Sequence, residues 1–305
     1  MTNNRARSSQ LMDTARPATM QESPAVKALG KLEGMTWLEA TQQGLTEAIQ
    51  PLVTKAEQTG VMDFLHGRWL GHALHPVLSD LPLGFWTASV LLDLLEMDDA
   101  AAVMSGFGSS AALGAAVTGV ADWTVTHGRE RRLALLHGLV NTGGLLLQIG
   151  SLAARLGGRR RSGRSLGLLG WLVSLGAAYL GGELVFGRGL MVDHNAWKAG
   201  PPEWTSVSRL SDLTPGKPQK VKVDGRAVLL YREGGDVYAM EDTCSHAGGP
   251  LSEGETKDGV VTCPWHGSRF RLSDGSVRRG PATYPQLRLE ARVRAGQVEV
   301  RGRQG

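Results

Sequence analysis

The chain has 305 residues, enough for more than one domain, and its 33 Lys and Arg against 29 Asp and Glu give a formal net charge of +4. Only two cysteines are present, which excludes a disulfide-rich scaffold and an all-cysteine zinc site. The mildly basic balance comes without a base-reading motif or an aromatic platform, so nucleic acid is not expected as a partner.

The N-terminal segment, residues 1–60, is predicted to be polar and in part amphipathic. Its first twenty residues contain Arg5, Arg7 and Arg16 but no apolar run, so no cleavable signal peptide is expected. Residues 24–59 predict an amphipathic helix that lies on a surface or caps a bundle. Its apolar positions are Leu29, Leu32, Trp37, Leu38, Leu45 and Ile49.

Four apolar segments follow within a domain predicted to span residues 61–198. They cover about 79–97, 100–121, 133–156 and 165–186, and each approaches or exceeds the roughly 20 residues that cross a bilayer as a helix. Small residues recur every four positions in the second segment, at Gly106, Ser110 and Gly114, as in packed membrane helices. A soluble bundle is the alternative, but it would need charged outer faces. We therefore predict a four-helix α transmembrane bundle.

The start and end of this region resemble a bacterial family of four-helix membrane domains, DUF2231. The family often carries Gly-His-Pro-Leu-His-Pro before its first helix, and this chain has Gly71 to Pro76, with Ala73 as the departure. Residues Gly181 to Phe186 also resemble the end of the family's fourth helix. The resemblance implies a membrane domain and no particular chemistry.

Five histidines lie in or near the predicted helices. Because the four spans alternate in direction, all five are expected toward the same membrane face. They could bind a haem through two imidazole ligands, or they could be hydrogen-bonded structural residues, and the sequence leaves both possibilities open. They are His72, His75, His127, His137 and His194.

The C-terminal third contains two short motifs, Cys244-Ser245-His246 and Cys263-Pro264-Trp265-His266, with sixteen residues between them. Two Cys and two His in this order suit a [2Fe–2S] cluster with thiolates on one iron and imidazoles on the other. Zinc is the main rival, although zinc fingers usually place their two cysteines together and their two histidines together. A disulfide between the cysteines is a further alternative, which would leave the histidines unexplained.

Residues 203–303 resemble the Rieske iron–sulfur domain. The matching stretches run from Cys244 to Leu251 and from Cys263 to Phe270, followed by Gly280-Pro281-Ala282. The resemblance implies an all-β domain with one [2Fe–2S] cluster per chain. The implied cluster and metal ligands are Cys244, His246, Cys263 and His266.

Three further residues sort the chain within the Rieske family. Quinol-oxidising members carry an extra cysteine in each cluster loop, and Gly249 and Trp265 stand at those places here. The resemblance therefore implies the ferredoxin-like type found in oxygenase systems. Ser268 resembles the serine that hydrogen-bonds cluster sulfur in members of higher potential.

The local pattern independently predicts β structure in this third of the chain. Residues 227–231 and 237–240 are apolar runs joined by a Gly-containing turn, which indicates a hairpin. Alternating apolar residues on both sides of Ala295-Gly296 predict a final hairpin. The fold class is thus multidomain, with the four-helix bundle followed by an all-β domain.

These features predict a membrane-anchored Rieske protein that passes single electrons between redox partners. A reductase, an oxygenase or a cytochrome would be the protein partner, and membrane lipid would surround the helices. We expect an electron-transfer component of an oxidoreductase system rather than a stand-alone enzyme, because no mononuclear-iron triad follows the motifs. The alternatives are a subunit of a membrane oxidoreductase that uses quinone or haem in the bundle, and a redox sensor.

The predicted location is the cell membrane, with several spans. Four spans return the chain to the side on which it started, so the Rieske domain is expected in the cytoplasm with the N-terminal segment. The arginines near the spans do not decide the orientation, because they are equally numerous on the two sides.

Overall fold

The computed structural model of the protein describes residues 29–32 and 34–302. It divides into a helical unit up to Arg188 and a β unit that contains His66–His72 and the chain from Gly189 onward. Residues 189–198, predicted as part of the membrane domain, therefore join the β unit. The first twenty residues, on which the signal-peptide prediction rests, lie outside the described residues.

From residue 36 onward, two helices precede the apolar segments, α1 (Thr36–Thr59) and α2 (Val61–Leu65). Leu38 of α1 is fully buried and packs in a cluster with Trp123 and Leu135. Part of the amphipathic pattern therefore forms a helix that packs on the bundle through Leu38, whereas Trp37 and Leu45 are exposed.

The four long helices are α3 (Leu74–Leu94), α4 (Asp98–Thr124), α5 (Gly128–Leu156) and α6 (Arg160–Gly182), and a π-helical turn, Glu183–Gly187, continues α6. By length and composition, all four could cross a membrane. Helix α3 starts five residues before the predicted 79, because Pro76 lies in its first turn, where a missing N–H breaks no helical hydrogen bond.

The helical unit buries polar as well as apolar side chains and exposes many large apolar ones. Buried polar side chains include Ser89, Ser105, Gln148 and Ser174, and several donate to backbone carbonyls of other helices. Large apolar side chains are exposed along the same helices, among them Leu81, Leu91, Phe107, Leu113, Val117, Leu146, Leu172 and Tyr179. Water would disfavour this exterior, whereas hydrocarbon would not.

Helix α4 packs through a different face from the one that its small-residue pattern predicted. Ser110 and Gly114 are exposed, and the helix instead packs through Ala101, Ser105 and Gly108. The Trp86 indole explains this choice, because a Cβ on Gly108 would lie 2.5 Å from its Nε1 atom. The packed face is therefore set by a bulky neighbour and not by the four-residue spacing alone.

The helices form two similar hairpins, α3–α4 and α5–α6, related by a shift of 62 positions. Ser89 donates to the carbonyl of Ala101 (2.8 Å), and Ser151, 62 positions later, donates to that of Gly163 (2.6 Å). The sequence Leu-Gly-Ala-Ala occurs at 113–116 and again at 175–178. The bundle is thus built from an internal duplication.

The β unit contains two antiparallel sheets. The six-stranded sheet has the order β1-β10-β9-β4-β3-β2 and the four-stranded sheet the order β5-β6-β7-β8. The strands are β1 (Thr205–Arg209), β2 (Pro218–Val223), β3 (Arg226–Glu233), β4 (Asp236–Glu241), β5 (Glu255–Lys257), β6 (Val260–Thr262), β7 (Arg269–Arg271), β8 (Val277–Arg279), β9 (Arg288–Arg294) and β10 (Gln297–Gly302). Both predicted hairpins are confirmed, as β3–β4 and β9–β10.

Strand β3 separates two apolar cores. Val228 and Leu230 face one core, whereas Leu229 and Tyr231 face the other, because successive side chains of a strand point to opposite faces. The second core also contains Cys244 and Cys263. The packing of the β unit therefore places both cysteine side chains away from water.

Candidate metal centre

Two loops of the β unit carry the predicted ligands. The first joins β4 to β5, the second joins β6 to β7, and their backbones make the same turn. Gly248 N–H donates to the carbonyl of Cys244 (2.9 Å), and Gly267 N–H donates to that of Cys263 (3.1 Å). Both glycines have positive φ, 79° and 74°, which a residue with a side chain rarely adopts. The loops therefore match in backbone although their histidines are spaced differently.

The two cysteines are buried, free and hydrogen-bonded to each other through their sulfur atoms. This bond, together with burial, raises the pKa of the Cys244 thiol well above its usual value. The same bond lowers the pKa of Cys263. Backbone N–H groups of His246 and Trp265 are among those that point at the sulfurs, and such donors favour a thiolate. The backbone N–H groups of both loops thus favour negative charge on the sulfurs, whereas the contact between the two cysteines opposes it at Cys244.

The two histidines form a second pair. The ring centroids of His246 and His266 are 5.0 Å apart and the rings are nearly perpendicular, at 85°. His246 is buried and His266 is partly exposed. The structure therefore brings all four predicted residues into the two neighbouring loops, as a cysteine pair and a histidine pair.

This donor set fits a [2Fe–2S] cluster better than a single zinc ion. Over residues 29–32 and 34–302, no group of three or more His, Cys, Asp or Glu is close enough to hold one metal ion. Two imidazoles on one tetrahedral metal have centroids about 5 Å apart, taking about 2.0 Å for the metal–nitrogen bond and about 1.1 Å from nitrogen to centroid. The histidine pair matches this spacing, and each pair can serve a separate iron.

Gly249 and Trp265 touch each other beside the cysteines. A Cβ added to Gly249 would lie 2.9 Å from Cys263 Sγ and 2.9 Å from Trp265 Cγ. The positions that hold extra cysteines in quinol-oxidising Rieske proteins are thus neighbours here, where an indole packs against a glycine. In quinol-oxidising members a disulfide joins the two loops at these positions, and here the Trp265 indole packs on Gly249 instead.

Gln286 braces the first loop and was not predicted from the sequence. Its buried amide donates to the carbonyls of Glu241 (2.6 Å) and Thr243 (2.7 Å), and its carbonyl oxygen accepts from Ser245 N–H (2.9 Å). A lone glutamine beside a strand gives no sequence signal for this role, since most such residues lie on a surface. Two of the three bonds are to the residues on either side of Cys244, so Gln286 fixes the first loop at this cysteine.

The segment before the β strands contacts the same loop. Asn195 donates through its side chain to the carbonyl of Thr243 (3.0 Å), and His194 N–H donates to that of Ser245 (3.0 Å). Burial lowers the pKa of the His194 imidazole. These contacts explain why residues 189–198 belong to the β unit.

Ser268 is fully buried at the end of the second loop. Its Oγ accepts a hydrogen bond from Ala282 N–H (3.0 Å), and its carbonyl accepts one from Cys263 N–H (2.8 Å). An oxygen that accepts this bond still has its own hydrogen to donate. The Ser268 hydroxyl therefore lies next to the second cluster loop, where a hydrogen bond to cluster sulfur would require it.

The five histidines of the haem alternative are not all together. His75 and His137 meet inside the helical unit, with ring centroids 6.2 Å apart. His127 is the N-cap residue of α5, and His72 and His194 belong to the β unit. One pair of the five is therefore brought together.

Comparison with known protein families matches two parts of the chain. Residues 203–294 match the Rieske [2Fe-2S] domain family, and residues 71–194 match the family described as predicted membrane protein (DUF2231).

Individual relatives cover the C-terminal third. The chain is 40% identical over 100 residues to Ferredoxin CarAc of Metapseudomonas resinovorans, spanning 32% of this chain and 94% of the relative. It is 33% identical over 98 residues to the ferredoxin subunit of anthranilate 1,2-dioxygenase of Burkholderia cepacia, spanning 32% and 91%. A solved ferredoxin of carbazole 1,9a-dioxygenase from Nocardioides aromaticivorans IC177 is 30% identical, covers 33% of this chain and 98% of its own, and has a TM-score of 0.32.

Proposed function

This chain belongs to the Rieske [2Fe–2S] family and carries a DUF2231 domain ahead of the cluster domain, and we propose that it is a membrane-anchored, ferredoxin-like electron carrier. Its cofactor is the [2Fe–2S] cluster of that family. The observation that carries the proposal is the separation of the four donors into a cysteine pair and a histidine pair.

The proposed ligands act in two sets. Cys244 and Cys263 bind one iron as thiolates, and the backbone N–H groups aimed at their sulfurs stabilise the negative charge. His246 and His266 bind the other iron through their imidazoles. The bound cluster takes up and releases one electron at a time. Because His266 is only partly buried, the histidine side offers a redox partner the shorter approach.

The proposed partner is a reductase on one side of the transfer and an oxygenase on the other. Both relatives named above are described as ferredoxins, and one of them is the ferredoxin subunit of a dioxygenase. The matched region covers nearly the full length of these small carriers, so the β unit has the parts that their activity needs.

We also propose that α3 to α6 cross the cell membrane and keep the β unit on the cytoplasmic side. The large apolar side chains exposed along these helices support insertion, since hydrocarbon is the solvent that such an exterior matches. An even number of spans leaves both flanking segments on one side.

The test is optical and EPR spectroscopy of the purified full chain before and after dithionite. The wild type should show a Rieske signal after reduction, and Cys244→Ala and His246→Ala should each abolish it. His194→Ala is the matched control, because its ring contacts the Gly189 carbonyl (3.1 Å) and should not touch the cluster. Zinc in place of iron, or an unchanged signal in either ligand variant, would reject the assignment.

Membrane orientation needs a separate measurement. A cysteine-reactive probe that cannot cross membranes should label a cysteine introduced at the exposed Ser211 only after cells are opened. Labelling in intact cells would place the β unit outside and contradict this part of the proposal.

A further inference from the structure

His75 and His137 occupy equivalent positions in the duplicated hairpins. Each follows a leucine, and His137 comes 62 positions after His75, the same shift that relates the rest of the two hairpins. Their rings lie 6.2 Å apart between centroids and are perpendicular, at 88°. The duplication has therefore placed one histidine from each half at a common point of the helical unit.

Each ring is held by the second helix of its own hairpin. His75 Nδ1 lies 2.9 Å from the Ala115 carbonyl, and His137 Nδ1 lies 2.8 Å from the Ala177 carbonyl. A carbonyl can only accept, so each Nδ1 carries the proton and each Nε2 carries a lone pair. A backbone carbonyl on the far nitrogen is also what usually orients a metal-binding histidine.

Two glycines make room for these rings. A Cβ on Gly119 would lie 2.8 Å from His75 Cε1, and a Cβ on Gly181 would lie 3.1 Å from His137 Cε1. Each glycine is one helical turn after the alanine whose carbonyl holds the ring. In each hairpin, one alanine carbonyl and one glycine of the second helix fix the position of the imidazole. The two histidines are therefore held in the same way in both hairpins.

The distance between the rings distinguishes this pair from the one in the β unit. Two imidazoles on opposite sides of one metal have centroids about 6 Å apart, whereas tetrahedral ligation gives about 5 Å, from the same bond lengths. His75 and His137 are 6.2 Å apart, and His246 and His266 are 5.0 Å apart. The spacing in the helical unit therefore fits ligation from opposite sides.

The rest of the coordination would have to come from the ligand itself. In the described residues, no third His, Cys, Asp or Glu joins the pair to hold an ion. A haem supplies four nitrogens in a plane and leaves two opposite positions for protein ligands, which are often histidines in helical bundles. A lone metal ion would be left with two protein ligands.

We infer that His75 and His137 bind one haem as its two axial ligands, between the two hairpins. Asn141 has to turn aside for this, because its Nδ2 lies 3.1 Å from His137 Nε2. Asn141 is on the same helix, one turn after His137, and the same Nδ2 atom also donates to the His137 carbonyl (3.1 Å), so the side chain has to turn far enough to free His137 Nε2. This inference goes beyond the electron-carrier proposal and does not depend on it.

The test is addition of hemin to the purified full chain in detergent, followed by optical titration. A Soret band that saturates at one hemin per chain is expected, and either His75→Ala or His137→Ala should reduce binding at least tenfold. His127→Ala, at the N-terminus of α5, is the matched control and should bind as the wild type does. Asn141→Ala should bind at least as tightly, because it frees Nε2 of His137.

Two measurements keep misfolding apart from ligand loss. Helical circular dichroism in detergent reports whether the helical unit of each variant is folded, and the cluster EPR signal reports whether the carrier proposal stands, independently of haem. Added imidazole should restore binding to His137→Gly by replacing the missing ligand. Wild-type chain that has its cluster but binds no hemin at one per chain, or histidine variants that bind it normally, would overturn the inference.

Discussion

In the β unit, two short loops present His246 and His266, and the backbone of those loops sets their positions. In the helical unit, His75 and His137 come from separate hairpins, and each is positioned by a carbonyl and a glycine of another helix. The ring centroids are 5.0 Å apart in the first pair and 6.2 Å in the second. The comparison shows that two neighbouring loops hold one pair of imidazoles close together, whereas duplicated helices hold the other pair farther apart.

The two units also use polar groups in opposite ways. The β unit surrounds its cysteines with an apolar core, and the helical unit buries polar side chains between apolar outer faces. Removing a buried polar contact should therefore lower stability most in the helices. Changing the shape of a loop should affect the cluster site most.

The largest effect is expected at the ion pair that joins the hairpins. Arg155 contacts Asp93 through two bonds, of 2.7 and 2.5 Å, and both side chains are almost fully buried. Asp93→Ala leaves a buried guanidinium without this partner and should destabilise the helical unit by about 3–5 kcal/mol. Thermal loss of helical circular dichroism in detergent measures this.

The duplication supplies the control for that experiment. Asp93 and Arg155 are 62 positions apart and thus occupy equivalent places, so the double variant Asp93→Arg with Arg155→Asp keeps the pair with its charges exchanged. It should recover more than half of the lost stability. Failure to recover would show that the two hairpins are not equivalent at this end.

Next in size is the brace beneath the first cluster loop. Gln286→Glu replaces an amide donor by a carboxylate facing the carbonyls of Glu241 and Thr243. Loss of the donor should cost about 2–3 kcal/mol. The temperature at which visible cluster absorbance bleaches should fall, while that of Gln297→Glu, changed at an exposed contact, should stay near wild type. If Gln286→Glu bleached at the same temperature as the wild type, Gln286 would not stabilise the first cluster loop.

A steric change in the cluster loop comes third. Gly249→Ala places a methyl group 2.9 Å from Cys263 Sγ and Trp265 Cγ, and such overpacking costs about 1–3 kcal/mol. Iron bound per chain should drop. Gly235→Ala, in an open hairpin turn with nothing within 4 Å, is the control and should load normally. Full iron loading of Gly249→Ala would mean that the loop opens easily.

The smallest effect is expected on potential rather than stability. If the Ser268 hydroxyl donates to cluster sulfur, Ser268→Ala removes one bond that favours the reduced, more negative cluster. The potential should fall by roughly 50 mV, near the 59 mV that a tenfold change in a one-electron equilibrium represents. Redox titration of the EPR signal measures this, with the exposed Ser211→Ala as control. An unchanged potential would assign Ser268 to its bond with Ala282 alone.

Much of the cluster site was predictable because its chemistry is local in sequence. Cys244 and His246 are two positions apart, and the glycines that follow them indicate a tight turn by residue type alone. Gln286 was not predictable, since it lies 41 positions from Ser245 and nothing in its neighbours indicates burial. A residue that braces a site through side-chain bonds to backbone leaves no motif.

The helical unit shows the same limit more strongly. Apolar length predicted four helices, and hydrocarbon thickness is the physical reason that length suffices. The predicted face of α4, through Ser110 and Gly114, was wrong because the bulk of Trp86 on α3 determines where a small residue is needed. The repeated Leu-Gly-Ala-Ala was a usable signal for the duplication, and with it for the histidine pair.

The sequence by itself determined the two domains, the cluster type and its four candidate ligands, because ligand identity and hydrophobic length are properties of short stretches. Only the tertiary structure decided which two of the five histidines meet, that the helical unit ends at Arg188, and that Trp265 packs on Gly249. These outcomes depend on contacts between residues far apart in the chain, and no local pattern encodes such distances.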